Sequence, residues 1–391
     1  MTKQKQLAMK TKEIDQAIKK FWKTTDNVVI AEMLGISEAS VRRHAQKMGL
    51  PKKSVVKKVV PISLEKLGDE LYKLLIKNKL MFEYEDLSAR FGVSVNKIQQ
   101  ELKKLEKNGI ILFYHKNGVE ISDQIEKSEP TIIPQRALVG KRVKFGFVTD
   151  NHLGSKYERL DVLNALYDRF ALDGITTVYN AGNVIDGEAR FNKFDIHTYG
   201  MENQCKYFAE KYPQREGIKT NFITGDDHEG WYVQREGVNI GKFMEQKAKE
   251  AGRSDLVYLG HMEHDVILKA PHGQAVIRIV HPGGGSSYAI SYTSQKLVES
   301  YSPGEKPNIL LMGHYHKMEY NFIRGVYVVQ GGCTMDQSPF MRKKRLDAHV
   351  GGWICEYQQA DNGVILSFKA EWIPFYAKEF YSDNDIWKYQ Y

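Results

Sequence analysis

The first fifty residues have the apolar spacing of short amphipathic helices. One helix is predicted over residues 14–21, and a second apolar stretch leads into a turn at Gly35. Ser37 offers a side-chain oxygen to cap a further helix, which we expect to begin at Glu38. Helices joined by a short turn that contains glycine are typical of a helix-turn-helix, and we predict one within residues 1–60. The side chains expected in its core are Val41, Ala45 and Met48.

Residues 61–122 have the pattern of a winged-helix domain. Two predicted helices precede a longer one that Ser94 would cap, and the turn Lys116-Asn117-Gly118 would join two short strands as the wing. Residues 61–140 contain 12 basic and 12 acidic side chains, so weak DNA binding, dimerisation and a spacer role all stay open. The polar stretch 123–140 is predicted to be a linker.

The pattern changes over residues 141–391, where short apolar runs of strand type are each followed by polar side chains. Buried strands that alternate with helices are typical of an α/β fold. Later stretches at 353–358, 364–369 and 372–375 alternate in polarity, and we predict antiparallel strands that close a second sheet.

The positive charge of the chain is concentrated in the predicted helix-turn-helix domain. Residues 1–60 contain 14 Lys and Arg against 5 Asp and Glu, an excess of nine, while the whole chain has a net charge of +8. A compact basic segment favours polyanions, and DNA is the leading candidate partner. The alternative is a small helical bundle with a solvated basic face. The candidate DNA contacts are Ser40, Arg42, Arg43, Gln46, Lys47, Lys52 and Lys53.

The composition is that of an ordinary globular protein. At 391 residues the chain is long enough for two or three domains, and 42% of its residues are hydrophobic. It contains no apolar run of membrane-spanning length and begins without the pattern of a secretory signal, so we expect a cytoplasmic protein with no membrane partner. Cys205, Cys333 and Cys355 are too few for a disulfide framework, and core packing is expected for each.

Five short segments hold most of the candidate chemistry. Asp150 and His152 are two residues apart after one apolar run, and His314 and His316 repeat that spacing after another. In extended backbone residues two apart project to the same side, so Asp150 and His152 can reach one metal ion. Gly313 would let the backbone turn tightly, so that His314 and His316 can address two metal ions separately. Because ligands of α/β sheets lie at the carboxyl ends of the strands, we expect the segments to converge there. The segments are Asp150-Asn151-His152, residues 182–186 (GNVID), residues 225–229 (GDDHE), His281 and Gly313-His314-Tyr315-His316.

In this order the segments resemble the pattern of the calcineurin-like metallophosphoesterases, which runs D-x-H, G-D-x-x-D, G-N-H-[DE], H and G-H-x-H. The resemblance covers residues 141–375 and implies an α/β fold built as a four-layer αββα sandwich with a two-metal site. The ligands that it implies are Asp150, His152 and His316 for one ion, Asp227, His281 and His314 for the other, and Asn183 as the bridge.

Two positions depart from the family pattern in opposite senses. Asn183 stands where the family has an Asp, and Asp227 stands where the family has an Asn. An amide offers one neutral oxygen where a bridging carboxylate offers two anionic ones, so this bridge should bind cations less tightly. The number of ligand carboxylates is unchanged, and we interpret the pair as a relocated charge. The mixed ligand set favours two divalent ions, Mn²⁺ first, with Fe²⁺ or Zn²⁺ as alternatives.

The resemblance also implies an acid–base group. His228 matches a family histidine that is not a ligand but contacts the phosphate and protonates the leaving oxygen, and Asp186 matches the carboxylate that orients it. The implied reaction is attack on phosphorus by a metal-bound hydroxide. Weaker candidates for lining the substrate cleft follow these segments closely in sequence. They are Arg190, Asn192, Trp231, Tyr232 and Arg235.

The leading hypothesis is therefore a DNA-binding, metal-dependent phosphodiesterase or nuclease, similar to phage and prophage phosphoesterases with N-terminal DNA-binding domains. One alternative is a non-enzymatic DNA-binding regulator with a degenerate phosphoesterase domain, for which Asn183 is the motivation. Another alternative is a phosphomonoesterase or protein phosphatase. The winged-helix segment is the candidate for contacts between copies of the chain in a homo-oligomer.

Overall fold

The structure is a computed structural model that describes residues 14–20, 22, 27–50, 66–134, 140–378 and 380. The chain divides into two compact units. One takes the residues up to Leu67 together with Tyr84–Ile98, and the other takes Gly68–Glu83 together with the chain from Gln99 onward. The segment 61–122, predicted as a single winged-helix domain, is divided between these units.

Helices dominate the N-terminal part of the described chain, and strands dominate the rest. The helices are α1 (14–20), α2 (Asn27–Leu34), α3 (Glu38–Lys47), α4 (Leu67–Asn78), α5 (Tyr84–Phe91), α6 (Val95–Lys107), α7 (Leu160–Leu172), α8 (Met201–Lys211), α9 (Gly230–Glu236), α10 (Ile240–Glu250), α11 (Ile290–Ser300) and α12 (Pro339–Lys344). The strands are β1 (Phe82–Glu83), β2 (Leu112–Tyr114), β3 (Gly118–Ile121), β4 (Thr131–Ile133), β5 (Arg142–Val148), β6 (Thr177–Asn180), β7 (Lys219–Thr224), β8 (Leu256–His261), β9 (Glu263–Ala270), β10 (Gly273–Val280), β11 (Ile309–Met312), β12 (Met318–Ile323), β13 (Val326–Gly331), β14 (Gly351–Gln359) and β15 (Ile365–Pro374).

The predicted helix-turn-helix region contains the short helices α1 to α3. Gly35 has a left-handed φ of 62°, and the Ser37 side chain caps α3 by accepting from the Ser40 amide at 3.2 Å, as predicted. Val41 and Ala45 are buried in a small apolar core, also as predicted, and Met48 packs against that core while half-buried. Of the candidate DNA contacts on this helix, Ser40 is half-buried, and the exposed ones are Arg42, Arg43, Gln46 and Lys47. Lys52 and Lys53 lie outside the described residues.

β2 and β3 form the predicted hairpin, but Lys116 and Asn117 form its turn. The His115 amide donates to the Gly118 carbonyl at 2.9 Å, and Gly118 lies in β3 itself. A Cβ at Gly118 would come within 2.4 Å of the Phe82 carbonyl oxygen in the neighbouring strand β1. The glycine is therefore needed for close approach between strands, and its torsion has no role in the turn.

Two six-stranded sheets form the larger part of the second unit. The first has the strand order β15-β14-β5-β6-β7-β8, in which β5 to β8 run parallel. The second has the order β12-β13-β11-β10-β9-β4, in which β10, β11 and β13 run parallel.

The hydrophobic core lies in layers between these sheets and around them. Phe147 of the first sheet and Leu311 of the second belong to the cluster between the sheets. The next residue on β5, Val148, points to the opposite face and packs with Phe170 of α7 in a cluster that includes α8 and α10. On the outer face of the second sheet, α11 packs through Val298. The layers thus follow the order helix, sheet, sheet, helix, which is the α/β sandwich expected.

Two predictions about strand arrangement are wrong. β14 and β15 extend the first sheet beside β5, and the stretches 364–369 and 372–375 form one continuous strand because no turn residue separates them. The sequence predicts a linker over residues 123–140, but within this segment β4 pairs with β9. The buried His264 ring bonds Ser128 and Thr131 at 2.8 Å each, which fastens this segment to the sheet.

Cys205, Cys333 and Cys355 are buried and unbridged, as predicted. Among the described residues, no helix combines the length and the apolar character that crossing a bilayer requires.

Candidate metal centre

The five sequence segments meet at the carboxyl ends of parallel strands from both sheets. In the first sheet β5 leads to Asp150, β6 to Asn183 and β7 to Asp227, and in the second β10 leads to His281 and β11 to His314. Because the sheets pack face to face, side chains from both sets of strand ends reach the same space.

Several residues in this space have left-handed backbone torsions, which residues other than glycine rarely adopt. Such strain persists only where the surrounding structure holds it, and it is concentrated at functional sites. A nearby glycine permits the close packing, because a Cβ on Gly225 would come within 2.7 Å of Asn183 Oδ1 and 2.6 Å of His281 Cδ2. The strained residues are Asp150 (φ 51°), His152 (49°), Asn183 (50°), His228 (45°), His314 (81°) and His316 (55°).

Asp150, His152 and His316 form the first candidate metal-binding cluster. The Nε2 atom of His316 lies 3.4 Å from Asp150 Oδ1 and 3.2 Å from His152 Nε2. The other carboxylate oxygen of Asp150 accepts from the Thr149 hydroxyl at 2.7 Å and from the His314 amide at 2.8 Å. These two bonds fix the carboxylate so that Oδ1 faces the histidine rings.

Asp227, His281 and His314 form the second cluster. Asp227 Oδ1 lies 3.3 Å from His281 Nε2, and its Oδ2 lies 3.3 Å from His314 Nδ1. The opposite ring nitrogens donate to backbone carbonyls, from His281 Nδ1 to Ala181 at 2.6 Å and from His314 Nε2 to Gly284 at 2.7 Å. Each bond fixes the tautomer and leaves a nitrogen lone pair facing Asp227, as is usual for metal-binding histidines.

Asn183 lies between the two clusters. Its Nδ2 donates to Asp150 Oδ1 at 3.3 Å, and its Oδ1 has no hydrogen-bond partner among the described residues and lies beside the His281 ring. The side chain is therefore placed where a bridging ligand would be, and its neutral oxygen is the atom that it can offer to a cation.

Asp186 orients two histidine rings. Its Oδ1 accepts from His152 Nδ1 at 2.8 Å and lies 3.1 Å from His228 Nδ1, which also donates to the Asp186 carbonyl at 3.0 Å. Asn192 holds the other carboxylate oxygen at 3.0 Å. The sequence paired Asp186 with His228 alone, and its bond to the ligand candidate His152 was missed. One carboxylate thus leaves the Nε2 of His152 for the first cluster and the Nε2 of His228 for the open side of the site.

Glu229 is a buried residue whose role the sequence analysis missed. Its Oε1 accepts from the amides of Asn183 and Gly225 at 2.9 Å each, and its Oε2 accepts from the Ile185 amide at 3.1 Å. Burial raises the pKa of its carboxyl to about 7, against the opposing effect of these bonds. Glu229 ties the loop after β6 to the loop after β7. The signal in the sequence was its match to the acidic position after the histidine in the family pattern.

The charges within the first cluster reinforce one another. Burial alone would raise the pKa of Asp150, but the facing rings of His316 and His152 hold it well below its usual range. Burial alone would lower the pKa of His152, but Asp150 and Asp186 raise it to about 10. In the second cluster the pKa of Asp227 is likewise held low, against the effect of burial, by His281 and His314. Both carboxylates therefore remain anionic at neutral pH.

Several buried polar atoms of the site make no hydrogen bond within the described part of the chain. Buried polar groups are normally paired, so unpaired ones need a ligand or a functional reason. Carboxylate, imidazole and amide donors together fit divalent transition-metal ions. The unpaired atoms are Asn183 Oδ1, Asp227 Oδ1, His281 Nε2, His314 Nδ1 and His316 Nδ1.

A cleft of about 500 Å³ opens beside both clusters. Of the five weaker candidates, Trp231 and Asn192 line it, whereas Arg190 and Arg235 are exposed elsewhere. The prediction for Tyr232 is wrong, because this side chain is buried in the core: successive residues of α9 are rotated by about 100°, so neighbours face different directions. Cleft residues that the sequence analysis missed include Phe191, Phe340 and Lys344.

Comparison with known proteins gives similarity at low identity. No model of a known protein family matches the chain, and no curated protein does. An archaeal phosphodiesterase structure matches with 11% identity and a TM-score of 0.32, over 59% of this chain and 100% of its own. Wild-type Vps29 from Entamoeba histolytica, complexed with Zn²⁺, matches with 14% identity and a TM-score of 0.27, over 60% of this chain and 100% of its own. A 5'-nucleotidase precursor from Thermus thermophilus matches with 12% identity and a TM-score of 0.32, over 64% of this chain and 58% of its own. These similarities are too weak to transfer a function, which must come from the site.

Proposed function

We propose that this chain is a metal-dependent phosphoesterase, and more specifically a phosphodiesterase that hydrolyses phosphate esters in DNA. The observation that supports this most is the convergence of two carboxylate–imidazole clusters, with an amide between them, beside a histidine held by a buried carboxylate. Two divalent ions, Mn²⁺ preferred, would be held by Asp150, His152 and His316 and by Asp227, His281 and His314. Asn183 would offer its amide oxygen from between these two sets of ligands.

In the proposed reaction the bound ions and the protein side chains have separate roles. When bound, divalent ions lower the pKa of a water molecule and offset the negative charge of the phosphate. His228 would protonate the leaving oxygen. This role is supported by the bonds of its Nδ1 to Asp186, which leave its Nε2 for the cleft. Asn192 keeps the Asp186 carboxylate from turning, and with it the His228 ring.

The proposal that the substrate is DNA rests on the N-terminal unit. The excess of nine positive charges in residues 1–60, and the exposed Arg42 and Arg43 on α3, suit a phosphate backbone. A DNA-binding region in the same chain would raise the local concentration of phosphodiesters around the hydrolase.

Hydrolysis of bis-p-nitrophenyl phosphate with added Mn²⁺ tests the catalytic part of the proposal. We expect turnover in the wild type, its loss in His228→Ala, and its retention in His272→Ala, which alters an exposed histidine on the turn between β9 and β10. Equal rates in the wild type and His228→Ala would overturn the proposal. Failure to bind any ion would favour the non-enzymatic regulator, and faster turnover of p-nitrophenyl phosphate would favour a phosphomonoesterase.

The salt dependence of DNA binding tests the second part. Each phosphate contact contributes about 0.9 to the slope of log K against log salt, so Arg42→Ala/Arg43→Ala should reduce the slope by about 2. The matched control is Lys219→Gln, which removes an exposed charge from the other unit. An unchanged slope in the double variant would remove α3 from the proposed DNA interface.

A further inference from the structure

The cleft beside the metal clusters has an aromatic wall. Phe191 and Phe340 have ring centroids 5.2 Å apart at an interplanar angle of 34°, yet 42% of one residue and 39% of the other stay exposed. Trp231, 38% exposed, lines the same cleft. Three partly exposed aromatic rings that line one concave site, two of them packed on each other, offer a surface suited to a flat ligand.

This wall reaches the proposed catalytic group. The Phe191 and His228 rings pack in a T-shaped arrangement, with centroids 5.3 Å apart and an interplanar angle of 87°. Phe340 packs on the Phe191 ring and so is the next ring in this series from His228. A flat group on the Phe340 side of the wall would therefore lie close to a phosphate at His228.

Positive charge adjoins the aromatic wall. Phe340 belongs to α12, whose last turn contains Arg342, Lys343 and Lys344, and Lys344 lines the cleft. These side chains are exposed and form no ion pair with the part of the chain that the structure describes. Met341, buried in a small cluster with Cys333, anchors the helix beneath them. Aromatic platforms combined with a basic track are the means by which proteins bind single-stranded nucleic acid.

We propose that Phe340, with Phe191, stacks an unpaired base next to the scissile phosphate while Lys344 contacts a neighbouring phosphate, so that the substrate is single-stranded nucleic acid. This inference rests on the proposed phosphodiesterase function and names its substrate class. In a duplex the faces of each base are covered by the bases above and below it, so only an unstacked base can reach the wall.

Paired substrates test the stacking. The first is a short single-stranded oligodeoxynucleotide, and the second is the same strand built from abasic tetrahydrofuran units, which keeps every phosphate and removes every base. In the wild type we expect kcat/KM for the abasic strand to be roughly 5- to 150-fold lower, the effect of losing one stacked base. In Phe340→Ala the two strands should be hydrolysed at similar rates. Phe194→Ala, which removes an aromatic ring 81% exposed and outside the cleft, should keep the wild-type ratio.

A second variant protects against loss of folding. Phe340→Leu keeps the apolar volume but removes the aromatic face. Like Phe340→Ala, it should bring kcat/KM for the intact strand closer to kcat/KM for the abasic strand. For the cation, Lys344→Gln should reduce the salt slope for single strands by about 0.7, with the exposed Lys193→Gln as its control.

The outcomes separate this inference from the proposed function. If bis-p-nitrophenyl phosphate is hydrolysed with Mn²⁺ but intact and abasic strands are turned over equally by the wild type, the stacking inference is overturned and the phosphodiesterase stands. Preference for a matched blunt duplex over the single strand would also overturn it. If no diester is hydrolysed, the proposed function itself fails.

Discussion

Replacing Asn183 with aspartate tests whether the metal-free site tolerates a second negative charge beside Asp150. In the wild type the Asn183 amide donates to Asp150 Oδ1 at 3.3 Å, and both residues are buried. In metal-free protein, Asn183→Asp replaces that hydrogen bond with two facing carboxylate oxygens. We therefore expect the variant to be less stable than the wild type in the absence of metal.

The size of the effect follows from the distance. Two unit charges 3.3 Å apart repel by about 5 kcal/mol at an effective dielectric constant of about 20. The protein can avoid this by protonating the introduced carboxyl, which costs about 4 kcal/mol at pH 7 and about 1.5 kcal/mol at pH 5 for an ordinary pKa of about 3.9. Because protonation costs less than the repulsion between two carboxylates, it determines how much stability the metal-free variant loses. The pKa of the introduced carboxyl is raised by folding, so the penalty is absent at low pH and grows as the pH rises.

Urea unfolding of chelator-treated protein at pH 7 and pH 5 measures this penalty. The control is Asn362→Asp, an exposed turn residue whose Oδ1 accepts from the Val364 amide at 3.1 Å, a bond that aspartate can keep. Equal stability of the wild type and Asn183→Asp at pH 7, or a difference that does not depend on pH, would refute the electrostatic reasoning.

Added Mn²⁺ should reverse the order. An ion that binds only the folded state stabilises it in proportion to the logarithm of its concentration over Kd, and the anionic bridge should bind more tightly than the amide. The diesterase rate of the same variant then addresses the swapped pair. A large gain over the wild type would show that Asn183 disables the site, whereas no gain would show that Asp227 compensates.

Three further predictions concern other parts of the site and its support. His281→Ala should lower the number of Mn²⁺ ions retained after dialysis, measured by elemental analysis, whereas His272→Ala should not; equal contents would contradict the second cluster. Glu229→Gln should lower the free energy of unfolding by about 1–3 kcal/mol, because an amide NH₂ would face one of three backbone donors now satisfied by the carboxylate, and an unchanged urea midpoint would refute this. Arg159 is 1% exposed and donates to two carboxylates and to the Tyr376 carbonyl. Arg159→Ala should therefore lower the free energy of unfolding by about 3 kcal/mol in the same urea measurement. A loss under about 1 kcal/mol, the size seen at surface ion pairs, would show that water replaces those bonds.

Much of the candidate site could be predicted from sequence because its ligands follow strands. A buried strand is recognisable from a short apolar run, and the residue after it must lie at the edge of a sheet. Asp150 and His314 could therefore be identified without knowing which strands are neighbours. Asp186 shows the limit, since its bond to His152 joins residues 34 positions apart whose side-chain directions depend on two loops.

The aromatic wall of the cleft was even harder to predict from the sequence. Phe340 and Phe191 are separated by 149 positions by their numbering, and no motif surrounds Phe340. Phe191 lies between two cleft candidates, Arg190 and Asn192, but the sequence gives no sign that it pairs with Phe340. Their contact depends on where the loop after β13 places α12 relative to the loop after β6. The same reason explains the C-terminal strands, because alternation of polarity identifies a strand but says nothing about the sheet that accepts its hydrogen bonds.

The chemical identity of the site can be inferred from the sequence alone, because ligand types and strand ends are local properties of the chain. The uneven charge that makes DNA the proposed partner is likewise visible in the sequence. Three features emerge from the folded chain alone: Asp186 bonds two histidines, Glu229 joins two loops, and aromatic rings line the cleft. Those features are contacts between distant segments, and their geometry depends on the packing of the two sheets and the course of the loops between them.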